Sequence, residues 1–235
     1  MKNRILEALP ADEGRGLAAQ MTRVHLARST VLFEPGDTPE YIYFPLEALI
    51  SQLGSTAEGQ SIEVGLVGNE GLVGAPTLLS DVAAFRAVVQ IAGAAFRIKS
   101  GALKQEFLRS DVVRQQMLSY LNALLIQVAQ TSVCNKFHNI DTRLCRWLLM
   151  AIDRTGTNDL AITHEALARV LGTRRASITI VLGELQRAGA VRNVRGTISI
   201  VNRLVLEKNA CECYETILNA HVGASGSEGS SAACR

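Results

Sequence analysis

Residues 162–203 read ITHEALARVLGTRRASITIVLGELQRAGAVRNVRGTISIVNR, and this stretch decides the fold of the C-terminal half of the chain. Thr163 is a residue type that caps helix N-termini, and the apolar residues after it recur at helical spacing up to Leu171. Gly172 ends this helix, and a second helix is predicted over 174–188. Two short helices separated by a glycine turn predict a helix-turn-helix.

The second helix has an apolar side, which we expect to pack on the first helix, and a polar side with basic and hydroxyl residues near its N-terminus. Free backbone donors at a helix N-terminus favour phosphate, and the first residues of a recognition helix contact base edges. Two β-rich runs follow around Arg195-Gly196, a hairpin turn signal that predicts a wing. The residues expected to contact DNA are Thr163, Thr173, Arg174, Arg175, Ser177, Thr179, Arg192 and Arg195.

Within this set we assign different roles to different arginines. Arg175 is expected to contact a base edge, most simply guanine N7 and O6, whereas Arg174, Arg192 and Arg195 are expected to hold phosphates. His164, at the start of the first helix, is expected to cap that helix or to lie beside a backbone phosphate.

The positive charge of the chain is concentrated in the same stretch. Residues 162–203 contain seven Lys and Arg against two Glu, a local charge of +5, whereas the whole chain carries +2 and the remainder therefore −3. A localised basic surface is the electrostatic footprint of a protein that binds duplex DNA. The alternative is an ordinary solvated helix face on a domain that binds protein.

Length and composition describe a globular chain with room for two domains: 235 residues, 48% of them hydrophobic and 20% charged. No run approaches the roughly 20 consecutive apolar residues of a membrane span, and the charged N-terminus predicts no secretory signal. Five cysteines without framework spacing fit a reducing compartment, so we expect a cytoplasmic protein without membrane contact. Nucleophile-elbow, zinc-protease, Walker and Rossmann motifs are missing from the sequence, which therefore predicts no enzyme.

The N-terminal half opens with two short helices, 2–9 and 12–23, and then changes to strands. Runs of strand length bounded by turn residues occupy 30–34, 41–45, 48–53, 61–67 and 87–91. Many short strands at regular spacing predict a sandwich or a barrel.

Thr163–Val201 resembles the winged helix-turn-helix of the Crp/Fnr (cyclic-AMP receptor protein) family of bacterial regulators, in its helix order, the Gly172 turn, the position of Arg175 and the wing. The run from Leu32 to Asp37 and the strand after it are similar to the first turns of that family's sensor domain. The resemblance implies an α+β fold. Its expected parts are a cyclic-nucleotide-binding-like β-roll over 1–109, a dimerisation helix and hinge over 110–139, and a winged helix-turn-helix domain over 140–221. Residues 222–235 are rich in Gly, Ser and Ala and are expected to form a disordered tail.

The same resemblance identifies a candidate effector pocket at Gly71, Gly74 and Arg86. Gly74 stands at the glycine of the family's phosphate-binding cassette, and Arg86 at the arginine that pairs with the cyclic phosphate. The alternative is a turn-rich corner of the roll, in which Arg86 pairs with Asp81 or Glu70.

Other polar positions of the cassette are apolar in this chain. Ala75 stands where the family has a glutamate for the ribose hydroxyl, and Ala87 where it has a serine or threonine for the phosphate. By its offset from Arg143, the adenine-contacting Thr-Ser pair of the family's dimer helix falls on Val128 and Ala129; Thr131-Ser132, one turn later, would take its place only in a different helix register. Because each polar ligand group buried without a partner costs roughly 1–3 kcal/mol, we expect poor binding of cyclic AMP, or none.

A long helix is predicted over 111–133 with Ser110 as its N-cap, because apolar residues recur every three or four positions. The resemblance implies that this helix forms a dimer, and a winged domain needs a twofold partner to read a palindrome. A core helix of a monomer is the alternative. The residues expected to face the partner are Met117, Leu121, Leu124 and Val128.

Beyond this helix, a hinge is predicted over 135–139, the first helix of the DNA-binding domain over 141–153, and a closing helix over 204–221. Trp147 is expected to be a core residue rather than a stacking platform.

Residues of metal-ligating type occur at Cys134, His138, Cys145 and the Cys-Glu-Cys run over 211–213. Oxygen-sensing members of the family hold an iron–sulfur cluster, but with ligands near the N-terminus, where this chain has no cysteine. The Cys-x-x-Cys spacing is also missing from this sequence. We therefore expect structural thiols, no metal and no cofactor.

These observations predict a homodimeric, sequence-specific regulator that binds double-stranded DNA at a palindromic operator, contacts RNA polymerase and responds to an unknown effector. One alternative is a cyclic-nucleotide-gated regulator of the same architecture. The other is an adaptor that uses both domains for protein contacts and does not bind DNA.

Overall fold

The computed structural model of the protein describes residues 3–225. The helices are α1 (Arg4–Glu7), α2 (Ala11–Ala18), α3 (Ser100–Arg109), α4 (Asp111–Phe137), α5 (Ile140–Thr155), α6 (His164–Val170), α7 (Arg175–Arg187), α8 (Arg203–Asn209) and α9 (Cys213–Ser225), with a 3-10 turn at Ala75–Leu78. The strands are β1 (Thr22–Leu26), β2 (Val31–Phe33), β3 (Tyr41–Pro45), β4 (Leu49–Ser55), β5 (Ser61–Val67), β6 (Arg86–Ile91), β7 (Gly93–Lys99), β8 (Asp159–Leu160), β9 (Val191–Val194) and β10 (Thr197–Ile200).

The first seven strands form the predicted β-roll from two antiparallel sheets, one with the order β1-β7-β3 and one with the order β2-β6-β4-β5. Buried apolar side chains fill the space between them, among them Ile50, Val67 and Val89. Every strand predicted between residues 30 and 91 is present, with ends shifted by one or two residues. The N-terminal half of the predicted fold is therefore confirmed.

Several elements of this half differ from the sequence prediction, which did not include β1, β7 or α3. The second helix ends at Ala18 and not at residue 23, because β1 already begins at Thr22 and pairs with β7. β7 and α3 were not predicted because neither segment has a strong apolar pattern in the sequence. β7 opens with small residues because its backbone crosses another chain segment closely: a Cβ on Gly93 would lie 2.5 Å from the backbone nitrogen of Ala48.

The long helix α4 begins as predicted, with the Ser110 hydroxyl accepting a hydrogen bond from the Val113 N–H at 3.3 Å, but it continues to Phe137. By length and composition alone it is long and apolar enough to cross a membrane, with a mean hydropathy of 1.2 over the best window. Such a helix is weak evidence for a span, since the core helix of a globular domain passes the same test. One side of α4 does lie in the core of this chain, beside α1, α3 and β3.

That packing corrects part of the predicted dimer surface. Met117 is completely buried and Leu124 is 4% exposed, both in the core between α4 and the β-roll. They cannot face a second subunit, because they have almost no surface left to bury. Leu121 and Val128 are half-buried at the edge of the same core.

The C-terminal half has the predicted winged helix-turn-helix, formed by α5, α6, α7 and the hairpin β9–β10, with the short strand β8 added beside β10. The predicted closing helix is two helices, α8 and α9, separated at residues 210–212. Helix α9 packs along α4 and continues to Ser225, so the predicted tail begins later than residue 222. Its remainder, 226–235, lies outside the described residues.

The two halves share one apolar core. Leu49, Leu53 and Leu66 of the four-stranded sheet belong to the same cluster as Trp147 and the apolar side of α7. Trp147 is fully buried, as the sequence predicts. The C-terminal half is therefore held directly against the outer face of the β-roll.

Candidate DNA-binding surface

The helix-turn-helix is formed by local signals that the sequence contains. The Thr163 hydroxyl accepts from the Ala166 N–H at 3.2 Å and so caps α6, and Gly172 takes the left-handed conformation, with φ of +60°, that ends the helix. Helix α7 then buries the predicted apolar side: Ile178, Val181, Leu182 and Leu185. The opposite side of α7 is left to solvent.

A cleft of about 510 Å³ opens between the start of α6, the start of α7 and the wing. It brings together three of the predicted DNA-contacting residues, Thr163, Arg175 and Arg195. Arg174 is the N-cap residue of α7 and Arg192 lies on β9, and both are exposed. The wing turn is tight, with positive φ at Arg195 and Gly196, as the Arg-Gly sequence predicts.

Thr173 was predicted to contact DNA, and the structure places it elsewhere. It lines a groove of about 1090 Å³ between the helix-turn-helix and the β4–β5 hairpin, together with Arg169 and Gly172. Gly172 approaches β5 so closely that a Cβ there would lie 2.9 Å from Ile62 Cδ1. The turn of the helix-turn-helix therefore faces the β-roll, which carries Thr173 away from the cleft.

His164 connects the recognition helix to the wing, a role that the sequence did not reveal. Its Nδ1 lies 2.9 Å from the Thr179 hydroxyl on α7, and its Nε2 lies 2.6 Å from the Asn193 amide nitrogen on β9. The Thr179 hydroxyl in turn donates to the Arg175 carbonyl at 3.0 Å. A neutral imidazole with its proton on Nδ1 satisfies all of these bonds. His164 thus holds the wing against α7 and does not cap α6.

The electrostatics of the surface favour an anionic partner. Among the residues that the structure describes, no carboxylate forms an ion pair with Arg174, Arg175, Arg192 or Arg195. Arg203, which contributes to the local charge of +5, is different: it pairs with Asp153 at 2.6 Å and with Glu207 at 2.7 Å. The unpaired arginines lie on the face of α7 and the wing that solvent reaches.

Two apolar residues of this face were not among the predicted contacts. Ala176 is exposed, and Ile180 is 62% exposed one turn further along α7. Ile180 stands between Thr179 and Val181 in the sequence but lies outside the apolar stripe that α7 buries. This position could have identified it from the sequence as an exposed apolar residue. Exposed alkyl groups on a recognition helix can contact the methyl group of thymine.

Buried polar contacts join this DNA-binding half to the rest of the chain. Arg154, at the end of α5, pairs with Glu70 at 3.0 Å, donates to the Leu66 carbonyl at 2.6 Å and donates to Gln127 Oε1 at 2.5 Å. Gln127 lies on α4, so one guanidinium connects the DNA-binding domain, the β-roll and the long helix. Burial raises the pKa of Glu70, an effect that the positive charge of Arg154 opposes.

A second contact lies about two turns earlier on the same side of α5. Trp147 Nε1 donates to Glu63 Oε1 at 3.0 Å, and the Ser51 hydroxyl donates to the other carboxyl oxygen. Glu63 is 5% exposed, and this burial raises its pKa to about 7 despite the opposing effect of those donors and of Arg146. This carboxyl therefore changes protonation near neutral pH.

The candidate effector residues do not form one pocket. Gly71 faces the ring of Tyr120, where a Cβ would lie 2.4 Å from Cε2, and its carbonyl accepts from Asn3. Gly74, with φ of +99°, begins the 3-10 turn and borders a cavity of about 10 Å³ that Phe33 also lines. Gly71 is therefore no longer a candidate effector-pocket residue, because it packs against α4 and not beside Gly74.

Arg86 faces neither this cavity nor the two partners proposed from sequence. Its Nε lies 3.2 Å from Glu34 Oε1 at the surface, and it lines the groove between the two halves. Asp81 and Glu70 pair with other basic side chains. Neighbouring β2 and β6 bring Glu34 and Arg86 together, a pairing that sequence separation hides.

Four of the residues of metal-ligating type do meet. Cys134, His138, Cys211 and Cys213 have ligand atoms that all lie within 4.8 Å of one another. Cys145 is outside this group, and burial raises the pKa of its thiol to about 12. The sequence separates the four residues by up to 79 positions, so spacing alone could not reveal the group.

Two family profiles match this chain. Residues 23–110 match the cyclic nucleotide-binding domain, and residues 142–208 match the Crp-like helix-turn-helix domain. The first match covers the β-roll and α3, and the second covers most of α5 through the wing to α8.

Curated relatives include the global nitrogen regulators of Synechocystis sp. and Synechococcus elongatus, which are 23% and 22% identical over 191 residues. Each alignment covers 77% of this chain, and 85% and 86% of the respective relative. Both relatives are named as regulators.

Solved structures give the same fold. FixK2 from Bradyrhizobium japonicum has a TM-score of 0.69 at 14% identity, covering 81% of this chain and 98% of that one. The c-di-GMP responsive global regulator CLP of Xanthomonas campestris has a TM-score of 0.64 at 20% identity, covering 82% of this chain and 100% of that one.

Proposed function

Because this chain belongs to the Crp/Fnr family of DNA-binding transcription regulators, we propose that it acts as a homodimer that binds palindromic DNA without requiring cyclic AMP. DNA binding is supported by the unpaired arginines of α7 and the wing, and independence of cyclic AMP by the filled nucleotide position of the β-roll. The cavity beside Gly74 measures about 10 Å³, whereas pockets for small ligands span about 300–1,000 Å³.

The surroundings of that cavity argue in the same direction. Phe33 and Phe85 line it, and Ala75 and Ala87 are completely buried where the family has polar contacts. Arg86 is engaged with Glu34 at the surface. A cyclic nucleotide would have to displace packed side chains and would still lack partners for its ribose and phosphate, at roughly 1–3 kcal/mol for each group left unpaired.

The proposed dimer surface is the exposed side of α4. Leu118, Leu125 and Val133 are 40%, 66% and 44% exposed, and the spacing of Leu118, Asn122, Leu125 and Ala129 follows the four-three alternation of a coiled-coil seam. A second copy of α4 would cover this stripe. An Asn at a seam position favours a defined register, and a twofold dimer presents two recognition helices to a palindrome.

On DNA, we assign Arg175 to a base edge in the major groove, because it begins α7 at the cleft. Arg174, Arg192 and Arg195 are assigned to phosphates, with Thr163 and Ser177 beside them. Thr179 is assigned to positioning, since its hydroxyl is already bonded to His164 and the Arg175 carbonyl.

The regulator is proposed to be cytoplasmic and to contact RNA polymerase, as expected of a bacterial-type transcription factor. We assign residues 1–109 to the sensor-like domain, 110–139 to the dimer helix and hinge, and 140–221 to the DNA-binding domain. The groove between the β4–β5 hairpin and the helix-turn-helix is where an effector other than cyclic AMP could alter the fit of the two halves.

Calorimetry with cyclic AMP, cyclic GMP and c-di-GMP tests the gating, since one structural relative is c-di-GMP responsive. Micromolar binding of cyclic AMP or cyclic GMP together with tighter DNA binding would favour the cyclic-nucleotide-gated alternative. Binding to random duplex at several salt concentrations tests the adaptor alternative. Phosphate neutralisation gives a steep loss of affinity with salt, and a protein that shows no duplex binding at low salt is not a DNA-binding regulator.

A further inference from the structure

Four side chains of metal-ligating type converge where the C-terminal end of α4 meets the start of α9. Cys134 and His138 are one helical turn apart at the end of α4, and Cys211 and Cys213 lie in the segment that leads from α8 into α9. All three cysteines are buried. Three thiols and an imidazole at one point have no role in the DNA-binding surface.

We propose that these four residues bind one zinc ion in a tetrahedral Cys3His site. Cys134 Sγ lies 3.6 Å from Cys211 Sγ, and Cys213 Sγ lies 3.5 Å from His138 Nδ1. Zinc–sulfur bonds of about 2.3 Å and zinc–nitrogen bonds of about 2.0 Å place the corners of a tetrahedron about 3.5–3.8 Å apart. The longest separation, within 4.8 Å, has to close by only about 1 Å.

The groups around the four ligands suit a bound cation. His138 directs Nδ1 towards the thiols, while its Nε2 lies 3.4 Å from Glu212 Oε1. A ligating histidine commonly donates its other N–H to a carboxylate, which fixes the tautomer that leaves Nδ1 free for metal. In addition, Gln130 Nε2 lies 3.1 Å from Cys213 Sγ and donates a hydrogen bond to that sulfur.

The charge balance points the same way. Three thiolates and one Zn²⁺ leave a net charge of −1, and the two buried arginines Arg143 and Arg146 lie within electrostatic range of Cys134. Arg143 donates to Asn135 and to the Leu171 carbonyl, and Arg146 contacts Met150 Sδ. Among the described residues, neither guanidinium has a carboxylate hydrogen-bond partner. Glu63 lies within electrostatic range of Arg146, and an anionic metal centre would add a second negative charge beside the two arginines.

The same geometry disfavours an iron–sulfur cluster or a disulfide at these thiols. An iron–sulfur cluster places several iron and sulfide atoms between its cysteine ligands, which therefore need to be spread more widely than these ligand atoms are. A disulfide between Cys134 and Cys211 would leave Cys213 and His138 facing each other without a function. A single tetrahedral ion uses all four.

The proposed ion links two parts of the chain whose relative position matters for DNA binding. Cys134 and His138 belong to the proposed dimer helix, immediately before α5, whereas Cys211 and Cys213 hold α9, the last helix. Binding of Zn²⁺ displaces one proton from each of the three thiols and fixes the start of α9 on α4. Loss of the ion would release α9 and loosen the DNA-binding domain against the dimer helix.

The test is the metal content of the tag-free, full-length protein, purified with reductant and without chelator. We expect about one zinc per chain, with Cys213→Ser and His138→Ala each retaining less than about a fifth of that amount. Cys145→Ala is the matched control, because it removes a buried thiol outside the group and should keep its zinc. Addition of Co²⁺ to metal-free wild-type protein should give the thiolate charge-transfer and tetrahedral ligand-field absorption of a Cys3His site, even if a variant folds poorly.

Removal of the metal from wild-type protein should lower Tm by on the order of 10 °C, and zinc should restore it. The proposal is overturned by protein that holds no zinc and gives no tetrahedral Co²⁺ spectrum, by iron and acid-labile sulfide, or by a Cys134–Cys211 disulfide in the reduced preparation. None of these outcomes bears on DNA binding or on cyclic AMP, so the site is tested independently of the proposed function.

Discussion

Arg154 Nε lies 3.0 Å from Glu70 Oε1, and both side chains are about 5% exposed where the DNA-binding half meets the β-roll. A buried ion pair adds little net stability, but removal of one partner leaves an uncompensated charge in a low-dielectric site. The pair therefore fixes the relative position of the two halves more than it strengthens the fold.

We expect Arg154→Met to lower the free energy of unfolding by about 3–5 kcal/mol, because Glu70 then has no counter-charge. Addition of Glu70→Gln should recover part of that loss. Arg109→Met is the control, since the Arg109 side chain is exposed in its pair with Glu106 and its loss should leave stability nearly unchanged. Urea titrations of the four proteins measure these differences, and equal effects of Arg154→Met and Arg109→Met would contradict the buried pair.

Glu63 predicts a pH dependence of the contact between the halves. Its folded-state pKa is raised to about 7, above the unfolded value of 4.5, so its favourable contribution is complete below about pH 4.5 and is lost as pH rises through 7. The shift corresponds to about 3 kcal/mol at most. Glu63→Gln, which mimics the protonated carboxyl, should match the wild type near pH 5 and be the more stable protein at pH 8. Glu47→Gln, at an exposed position, should show no such crossover in denaturant titrations.

Local signals were sufficient for much of the fold. The Thr163 cap, the Gly172 stop and the Arg195-Gly196 turn are each specified by neighbours in sequence, and the structure has all three. Residues whose roles depend on distant segments could not be placed in this way. Met117 has the helical spacing of a dimer contact, but the roll covers it. Thr173 lies in the turn before the recognition helix, but it lines the groove beside the β4–β5 hairpin.

The proposed dimer stripe distinguishes two neighbouring leucines of α4. Leu125→Glu should convert the dimer to a monomer that remains folded, because a carboxylate replaces an alkyl group that is 66% exposed in the single chain. Leu124→Glu should instead destabilise the fold, since that side chain is 4% exposed in the core. Leu204→Glu, at a position also 66% exposed, should change neither property. Light scattering measures the oligomeric state and thermal melts measure the stability of each variant. A Leu125→Glu variant that is still a dimer would show that the interface lies elsewhere.

Arg175 and Arg192 should differ in how they affect sequence preference. Arg175→Ala is expected to cost roughly 1–3 kcal/mol at one position of each half-site and to flatten the base preference there. Arg192→Ala should weaken binding to all sequences alike and reduce the salt dependence by about one phosphate contact. Binding-site selection and salt titrations separate the two. If the Arg175→Ala variant keeps the base preference of the wild type, Arg175 does not contact a base edge.

Ile180 supplies the sharpest test of the recognition helix. It is 62% exposed on the solvent side of α7, and we expect its alkyl side chain to contact the methyl group of a thymine in the major groove. Replacement of the contacted thymine by uracil, which lacks only the methyl, should weaken wild-type binding by about 1 kcal/mol. The same uracil should have little effect on Ile180→Ala, because the contact is already gone, so the two changes together cost no more than either alone. Val201→Ala, at an exposed residue beyond the wing, should respond to uracil as the wild type does. Fully additive losses from the protein and DNA changes at every thymine of the half-site would show that Ile180 does not contact a base.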